Sequence, residues 1–180
     1  MFHSNRLTYR ELEKSDWKLY YELYSNNDVM KFAYNSVFSS MEEARKSFES
    51  DISMQSDDNQ GTQYVARLSN HVAIGIVDYE VRIKNSMSGI FEIGYFIKPE
   101  YWGFGYGTEM SVAIIDYLFQ NYNIHKIVAS CNCNNSSSEN IMKKLGMSYE
   151  GKLRKTRFKN GNWDDEIKYG LLREEWNRNS

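Results

Sequence analysis

The stretch that most constrains the fold is residues 97 to 118, IKPEYWGFGYGTEMSVAIIDYL, where Gly103, Gly105 and Gly107 alternate with aromatics and lead into a helix-periodic segment. Just upstream, Phe91, Ile93, Tyr95 and Ile97 alternate with Glu92, Gly94 and Phe96, the pattern of a strand. Downstream, Met110, Ala113, Ile114, Tyr117 and Leu118 recur at helical steps, with Thr108 as the expected cap. A strand, a glycine loop and a helix start together make an anion site. First-turn N–H groups are unpaired, the helix dipole favours negative charge there, and glycine has no Cβ to hold a bulky phosphate away. Without a ligand, the same loop is a tight strand-to-helix turn.

Spacing narrows the ligand. A P-loop needs Lys-Ser/Thr after its last glycine, and here Thr108 and Glu109 follow Gly107. A dinucleotide fingerprint needs G-x-G-x-x-G in an early βαβ unit, whereas this loop reads G-x-G-x-G past mid-chain. Both phosphate-site readings fail.

The surrounding pattern is mixed. RLTYREL reads as a first strand, SDWKLYYELYSN and SMEEARKSFESDISMQ as helices, and QYVARL with HVAIGIVDYEV as a hairpin turning at Ser69-Asn70. After the glycine-loop helix come a short strand HKIVASC, a helix SSSENIMKKLG, and a closing hairpin with Asn160-Gly161 at its turn. The order β-α-α-β-β-β-α-β-α-β-β predicts one α/β (α+β) domain over residues 1–180, a mixed sheet flanked by helices.

At 180 residues with 41% hydrophobic and 15% aromatic content, the chain can bury one sizeable core. A net charge of −2 argues against a general nucleic-acid or anionic-membrane binder. With no apolar leader and no run of spanning length, a cytoplasmic location is expected. Cys131 and Cys133 read as two thiols on one strand face, and no metal is expected.

From the loop outward, the sequence resembles the GNAT N-acetyltransferases, and within them the branch of ribosomal-protein N-terminal acetyltransferases. Four blocks in order carry the resemblance: RLTYRELEKSD; GYFIKPEYWGFGYGTE; NSSSENIMKKLGMSYEGKLR, from Asn135; and NGNWDD with YGLLREEW. The resemblance implies a twisted, mostly antiparallel sheet with a splayed central strand pair, about four flanking helices, and acetyl transfer from acetyl-CoA to an amine. Trp102, Gly103, Phe104, Gly105, Tyr106, Gly107 and Thr108 would hold the pyrophosphate. Trp102 and Phe104 stand where many relatives carry polar or basic residues, so backbone donors would carry more of that load.

It also implies that Phe96 and Ile97 present backbone groups to the pantetheine arm, an N–H near Phe96 facing the developing oxyanion. Asn135 would anchor that arm, or else cap the following helix. Ser138 would be the general acid, since Met142 stands where many relatives have Tyr. Glu92 is the candidate base, with Glu150 the alternative. Lys143 or Lys144 could meet a CoA phosphate or simply face solvent.

The acceptor implied is an amine, with a protein N-terminal α-amine as the leading reading. A small amine such as a polyamine, amino sugar or antibiotic is the alternative, and a non-catalytic acyl-CoA sensor the third. An acidic acceptor pocket would favour polycations, but Glu11, Glu13, Asp16 and Asp28 are scattered along the sequence. Monomer and homodimer both remain open.

Overall fold

A computed structural model describes residues 1–55, 57, 59–85 and 88–176. The strands are β1 (Phe2–His3), β2 (Leu7–Glu11), β3 (Gly61–Leu68), β4 (Ala73–Lys84), β5 (Gly89–Ile97), β6 (Lys126–Asn132), β7 (Ser148–Lys159) and β8 (Asn162–Leu172). The α-helices are α1 (Trp17–Tyr24), α2 (Asn27–Met30), α3 (Met41–Met54), α4 (Tyr106–Asn121) and α5 (Ser136–Lys144). All eight strands join one sheet in the order β1-β2-β3-β4-β5-β6-β8-β7. Neighbours are antiparallel except β5 and β6. This is the single-domain α/β architecture with a mixed, mostly antiparallel sheet that the sequence predicts.

The parallel pair opens into a notch. β5 and β6 pair through Ile90–Lys126, Phe91–Ile127 and Glu92–Val128 and then part. Beyond that point β4 keeps hold of β5 as far as Ile97, and β8 keeps hold of β6 as far as Asn132. Each strand is tied to its outer neighbour, so residues 93–97 and 129–132 leave open backbone edges facing one another.

The two faces of the sheet are covered differently. On one, α4 and α5 close over Tyr9, Tyr64, Tyr79, Phe91 and Ile127. α4 buries Met110, Ala113, Ile114, Ile115 and Leu118, which makes it the central helix of the core. On the other face, Leu19, Tyr20 and Leu23 of α1 and Phe48 of α3 pack on Val65 and Ile76. Ser40 caps α3 by accepting the Glu43 N–H at 3.1 Å, while Glu43 accepts back from the Ser39 N–H at 2.7 Å. The closing hairpin turns at Asn160 and Gly161, both at positive φ (49° and 79°), as a tight primed turn requires.

The structure adds two elements and moves the start of a helix. β1 and α2 add to the expected elements, and β8 begins directly after the Asn160-Gly161 turn, at Asn162. α2 is a single turn capped by Asn26, too short to show periodicity. α4 starts at Tyr106 with Gly105 as its N-cap, so Thr108 does not cap it. Gly105 sits at φ 82°, a conformation glycine adopts at little cost, and the chain can therefore enter the helix earlier than side-chain capping suggests.

Candidate functional site

The glycine loop has the geometry of an anion cradle. Gly103 and Gly105 both lie at φ 82°, and nothing approaches within 4 Å of where a Cβ on Gly103 would stand. The first α4 bond runs from the Glu109 N–H to the Gly105 carbonyl, so earlier amides in that turn have no helical acceptor. Gly107 lies in close contact instead: a Cβ there would stand 2.9 Å from Ile141 Cδ1, which would have to shift, and 3.4 Å from Tyr95 Cε2.

The loop's own side chains are aromatic, but a cation reaches it from elsewhere. Arg6 donates from Nη1 to the Phe104 carbonyl at 3.1 Å and lies 4.3 Å over the Tyr106 ring. Its Nε donates to Glu109 at 2.7 Å, and Glu109 also accepts from Ser4 Oγ and the Arg6 N–H, each at 2.7 Å. These contacts pull the Glu109 carboxyl below the usual carboxylate range despite its partial burial. Phe2, stacked between Tyr9 and Tyr117 at 4.6 and 4.5 Å, fixes the strap that carries Arg6. Sequence reasoning missed Arg6 because 98 positions separate it from Phe104. Arg6→Ala should weaken acetyl-CoA binding about tenfold in calorimetry, by freeing the loop and unpairing Glu109. An unchanged Kd would make the strap irrelevant to the cofactor.

At the notch, alternation decides which amides are open. Gly89 accepts from the His125 N–H at 2.9 Å, so odd positions of β5 turn toward β6. The Lys98 N–H bonds the Ile74 carbonyl at 2.9 Å, so even positions turn toward β4. Tyr95 and Ile97 therefore present their backbone to the open side. Phe96 does not, which corrects the expectation for it: its backbone faces β4 and its ring packs 4.9 Å from Tyr24. The Ile97 carbonyl is held by Trp102 Nε1 at 2.8 Å, which ties loop to notch.

Across the notch, Asn135 caps α5, its Oδ1 accepting the Ser138 N–H at 3.1 Å. The amide Nδ2 is left pointing away from that bond as the group able to donate. Ser138 Oγ lies 3.3 Å from the Tyr95 hydroxyl. Lys143 is paired with Glu139 at 2.7 Å and Lys144 is exposed. Glu150 pairs with Lys126, at the end where β5 and β6 are still joined and away from the open part of the notch.

The opposite face carries a feature the sequence did not reveal. Gln63, Asp78 and Gly94 stand in register across β3, β4 and β5, with Glu80 and Glu92 in the next row. The gap above Gly94 admits the Asp78 carboxylate, since a Cβ there would lie 2.7 Å from Asp78 Oδ1. Asp51 of α3 joins from above, accepting from Gln63 Nε2 at 2.9 Å and the Tyr20 hydroxyl at 2.7 Å. Burial first, then the charges of Glu80, Asp51 and Glu92, push Asp78 up to about 7, against a hydrogen bond from the Gly94 N–H. Gln63 Oε1 and Ser130 Oγ are buried without a hydrogen-bond partner among the described residues. Glu92, expected as the base, is instead bonded by Arg82 Nε at 2.7 Å.

Over this face, the hairpin β7–β8 grips the chain that follows α2. Lys159 Nζ donates to the carbonyls of Met30, Ala33 and Asn35 at 2.5, 3.1 and 2.7 Å. Arg157 donates from Nη1 to the Phe32 carbonyl at 3.0 Å and from Nε to the buried Glu166 at 2.8 Å. A glycine-loop anion cradle, a strand notch leading from it, hydroxyls on one face and carboxylates on the other define a class of protein that can take an anionic ligand into a split mixed sheet.

That class has a family. The domain model described as Acetyltransferase (GNAT) domain matches residues 6–148, and the chain belongs to that family. It is 37% identical over 175 residues to YnaD, an uncharacterised N-acetyltransferase of Bacillus subtilis (strain 168), covering 97% of this chain and 98% of that one. Its fold matches spermidine N-acetyltransferase from Vibrio cholerae, solved with CoA and spermine, at a TM-score of 0.83 and 25% identity, over 94% of this chain and 97% of that one. It also matches the Salmonella typhimurium acetyl transferase that modifies the N-terminal serine of ribosomal protein L7/L12, at 0.80 and 19% identity, over 94% and 96%. The last likeness is one of fold alone. The chain is thus an N-acetyltransferase that uses acetyl-CoA. Among the described residues, no three metal-ligating side chains cluster, and no helix is long and apolar enough to cross a membrane.

Proposed function

We propose that this enzyme acetylates a primary amine of a small acceptor carrying a second positive charge, a polyamine by chemistry, with Asp78 receiving the amine's proton. The observation that carries this is the row Gln63–Asp78–Gly94 under Asp51: carboxylates and an unpartnered buried amide oxygen, all acceptors, facing one side. Such a group of acceptors is costly unless donors fill it, and an ammonium brings three. The rings of Tyr20, Tyr24, Phe38 and Phe96 line the same face and suit the methylene stem of such a ligand. The likeness to a spermidine acetyltransferase of Vibrio cholerae supports the same reading.

Acetyl-CoA supplies an activated acyl carbonyl. The residues of this chain do the rest: amides of the glycine loop and α4 hold phosphate, Asn135 Nδ2 and the open edges at Tyr95 and Ile97 hold the arm, and Ser138 lies on the hydroxyl side as the candidate acid. Glu92, paired with Arg82, contributes to the field around Asp78 rather than acting as base. An alkylamine of pKa ~10.4 is almost fully charged at neutral pH, so a carboxylate titrating near 7 is what it needs.

The second reading, an α-amine of a protein N-terminus, is supported by the Asn135–Ser138 pattern that this chain shares with the ribosomal-protein branch. An α-amine of pKa ~8 would ask less of the base. The discriminating measurement is thiol release from acetyl-CoA with spermidine, a monoamine of equal length, an amino sugar, and peptides with free N-termini. Spermidine should exceed the monoamine in kcat/KM by about 30-fold, the worth of roughly 2 kcal/mol at a desolvated carboxylate. Peptides outrunning spermidine would replace the acceptor assignment. Tight acetyl-CoA binding with no turnover of any amine would mean a sensor.

A further inference from the structure

We propose that the Tyr95 hydroxyl is the group that protonates the sulfur leaving the acetyl carbon, and that Ser138 is its positioning partner. The inference rests on the notch being the acetyl-CoA site and reassigns the acid from Ser138. Three elements that border that site meet at this side chain. Tyr95 belongs to the odd positions of β5, whose backbone faces the notch. Its ring edge stands 3.4 Å from where a Cβ on Gly107 of α4 would be, and its Oη is 3.3 Å from Ser138 Oγ in the first turn of α5. Further along α5, position 142 is a methionine, 4% exposed and without a proton to give. A strand residue thus brings to α5 the phenol that α5 itself lacks.

Chemistry favours the phenol over the serine. A phenol ionises near 10, close to a thiol near 8.5, whereas an aliphatic hydroxyl is a far weaker acid. Burial raises Tyr95 further, partly opposed by the Ser138 hydrogen bond, so it stays protonated at neutral pH. The other titratable group acting on it is the buried Cys131 thiol, itself pushed up to about 11 by burial and therefore neutral. Among the described residues, no carboxylate charge shifts Tyr95.

The step balances. The amine nitrogen bonds to the acetyl carbon, the C–S bond breaks with its electron pair going to sulfur, and the Tyr95 O–H proton moves to that sulfur. The ammonium nitrogen gives up two protons through Asp78 to solvent, one before attack and one as the amide forms, while the phenolate, held by the Ser138 O–H, regains one from solvent. Each turnover therefore releases one net proton, and the enzyme returns to its starting state.

The test compares Tyr95→Phe with Ser138→Ala. Tyr95→Phe should lower kcat about 100-fold and leave the acetyl-CoA Kd within twofold, which also reports an intact fold. Ser138→Ala should lower kcat less, about tenfold, because the phenol remains. A second readout needs no acceptor: calorimetric Kd values for CoA and desulfo-CoA. Wild type should prefer CoA about fivefold through one hydrogen bond to sulfur, and Tyr95→Phe should erase that preference. The assignment is overturned if Tyr95→Phe keeps its kcat, or keeps the CoA preference, or if only Ser138→Ala shows the full loss. Should wild type turn over no amine at all, the acceptor reading fails, and the desulfo-CoA comparison still decides the role of Tyr95.

Discussion

Asp78→Asn should lower kcat/KM for the amine by two orders of magnitude or more, and at pH 8 the same variant should melt higher than wild type. The activity loss is the usual contribution of a positioned general base. The stability gain follows from linkage. The carboxyl rises from an ordinary 3.8 to about 7 in the folded chain, so the native state binds the extra proton between those limits. Its contribution is fully present below pH 3.8 and is lost as pH rises through 7. At pH 8 wild type therefore carries a buried charge that asparagine lacks. At about 1.4 kcal/mol per unit, discounted for a half-buried group, the variant gains roughly 2 kcal/mol. Thermal melts at pH 5 and pH 8 measure it: the advantage of the variant should grow between them. Equal effects at both, or retained activity, would reduce Asp78 to a structural partner of Gly94. The rate of wild type should also climb through pH 7 as Asp78 ionises.

Glu166→Gln should cost about 3 kcal/mol in urea denaturation, because it leaves the Arg157 guanidinium buried without its anion. The pair is closed to solvent, with side chains 9% and 5% exposed and Nε 2.8 Å from the carboxylate. Arg157 also holds the Phe32 carbonyl, so the chain after α2 loosens with it; on the proposed acceptor site, KM for the amine should rise while the acetyl-CoA Kd holds. The double change Arg157→Met with Glu166→Leu should recover most of the stability but not the KM, since an apolar pair can replace the salt bridge and cannot hold a carbonyl. A loss under ~0.5 kcal/mol in Glu166→Gln would show that water reaches the pair and screens it.

How much of this was legible depends on the range of the interactions. Gly103 and Gly105 can take positive φ at little cost whatever surrounds them, so a cradle at this loop could be expected before any tertiary contact was known. Asn160-Gly161 declared its turn for the same reason. Asn135 announced itself through its neighbours, although whether it caps or anchors was open, and it caps through Oδ1. The expectation for Phe96 failed by one residue, because backbone direction in a strand alternates and only the pairing of Lys98 with Ile74 sets its phase. Thr108 failed because glycine capping overrode side-chain propensity.

The sequence by itself carried the motifs that resemble the family, the glycines of the loop and most of the order of elements, because motif spacing, local torsional preference and hydrophobic period are properties of nearby residues. Tertiary structure alone decided who stands opposite whom. Register brings Gln63, Asp78 and Gly94 into one row under Asp51, and the notch brings Tyr95 to Ser138. Arg6 reaches the loop across the whole first half of the chain. Burial and mutual repulsion, which move a carboxyl from acid to base near neutrality, exist only once those groups share a dry space.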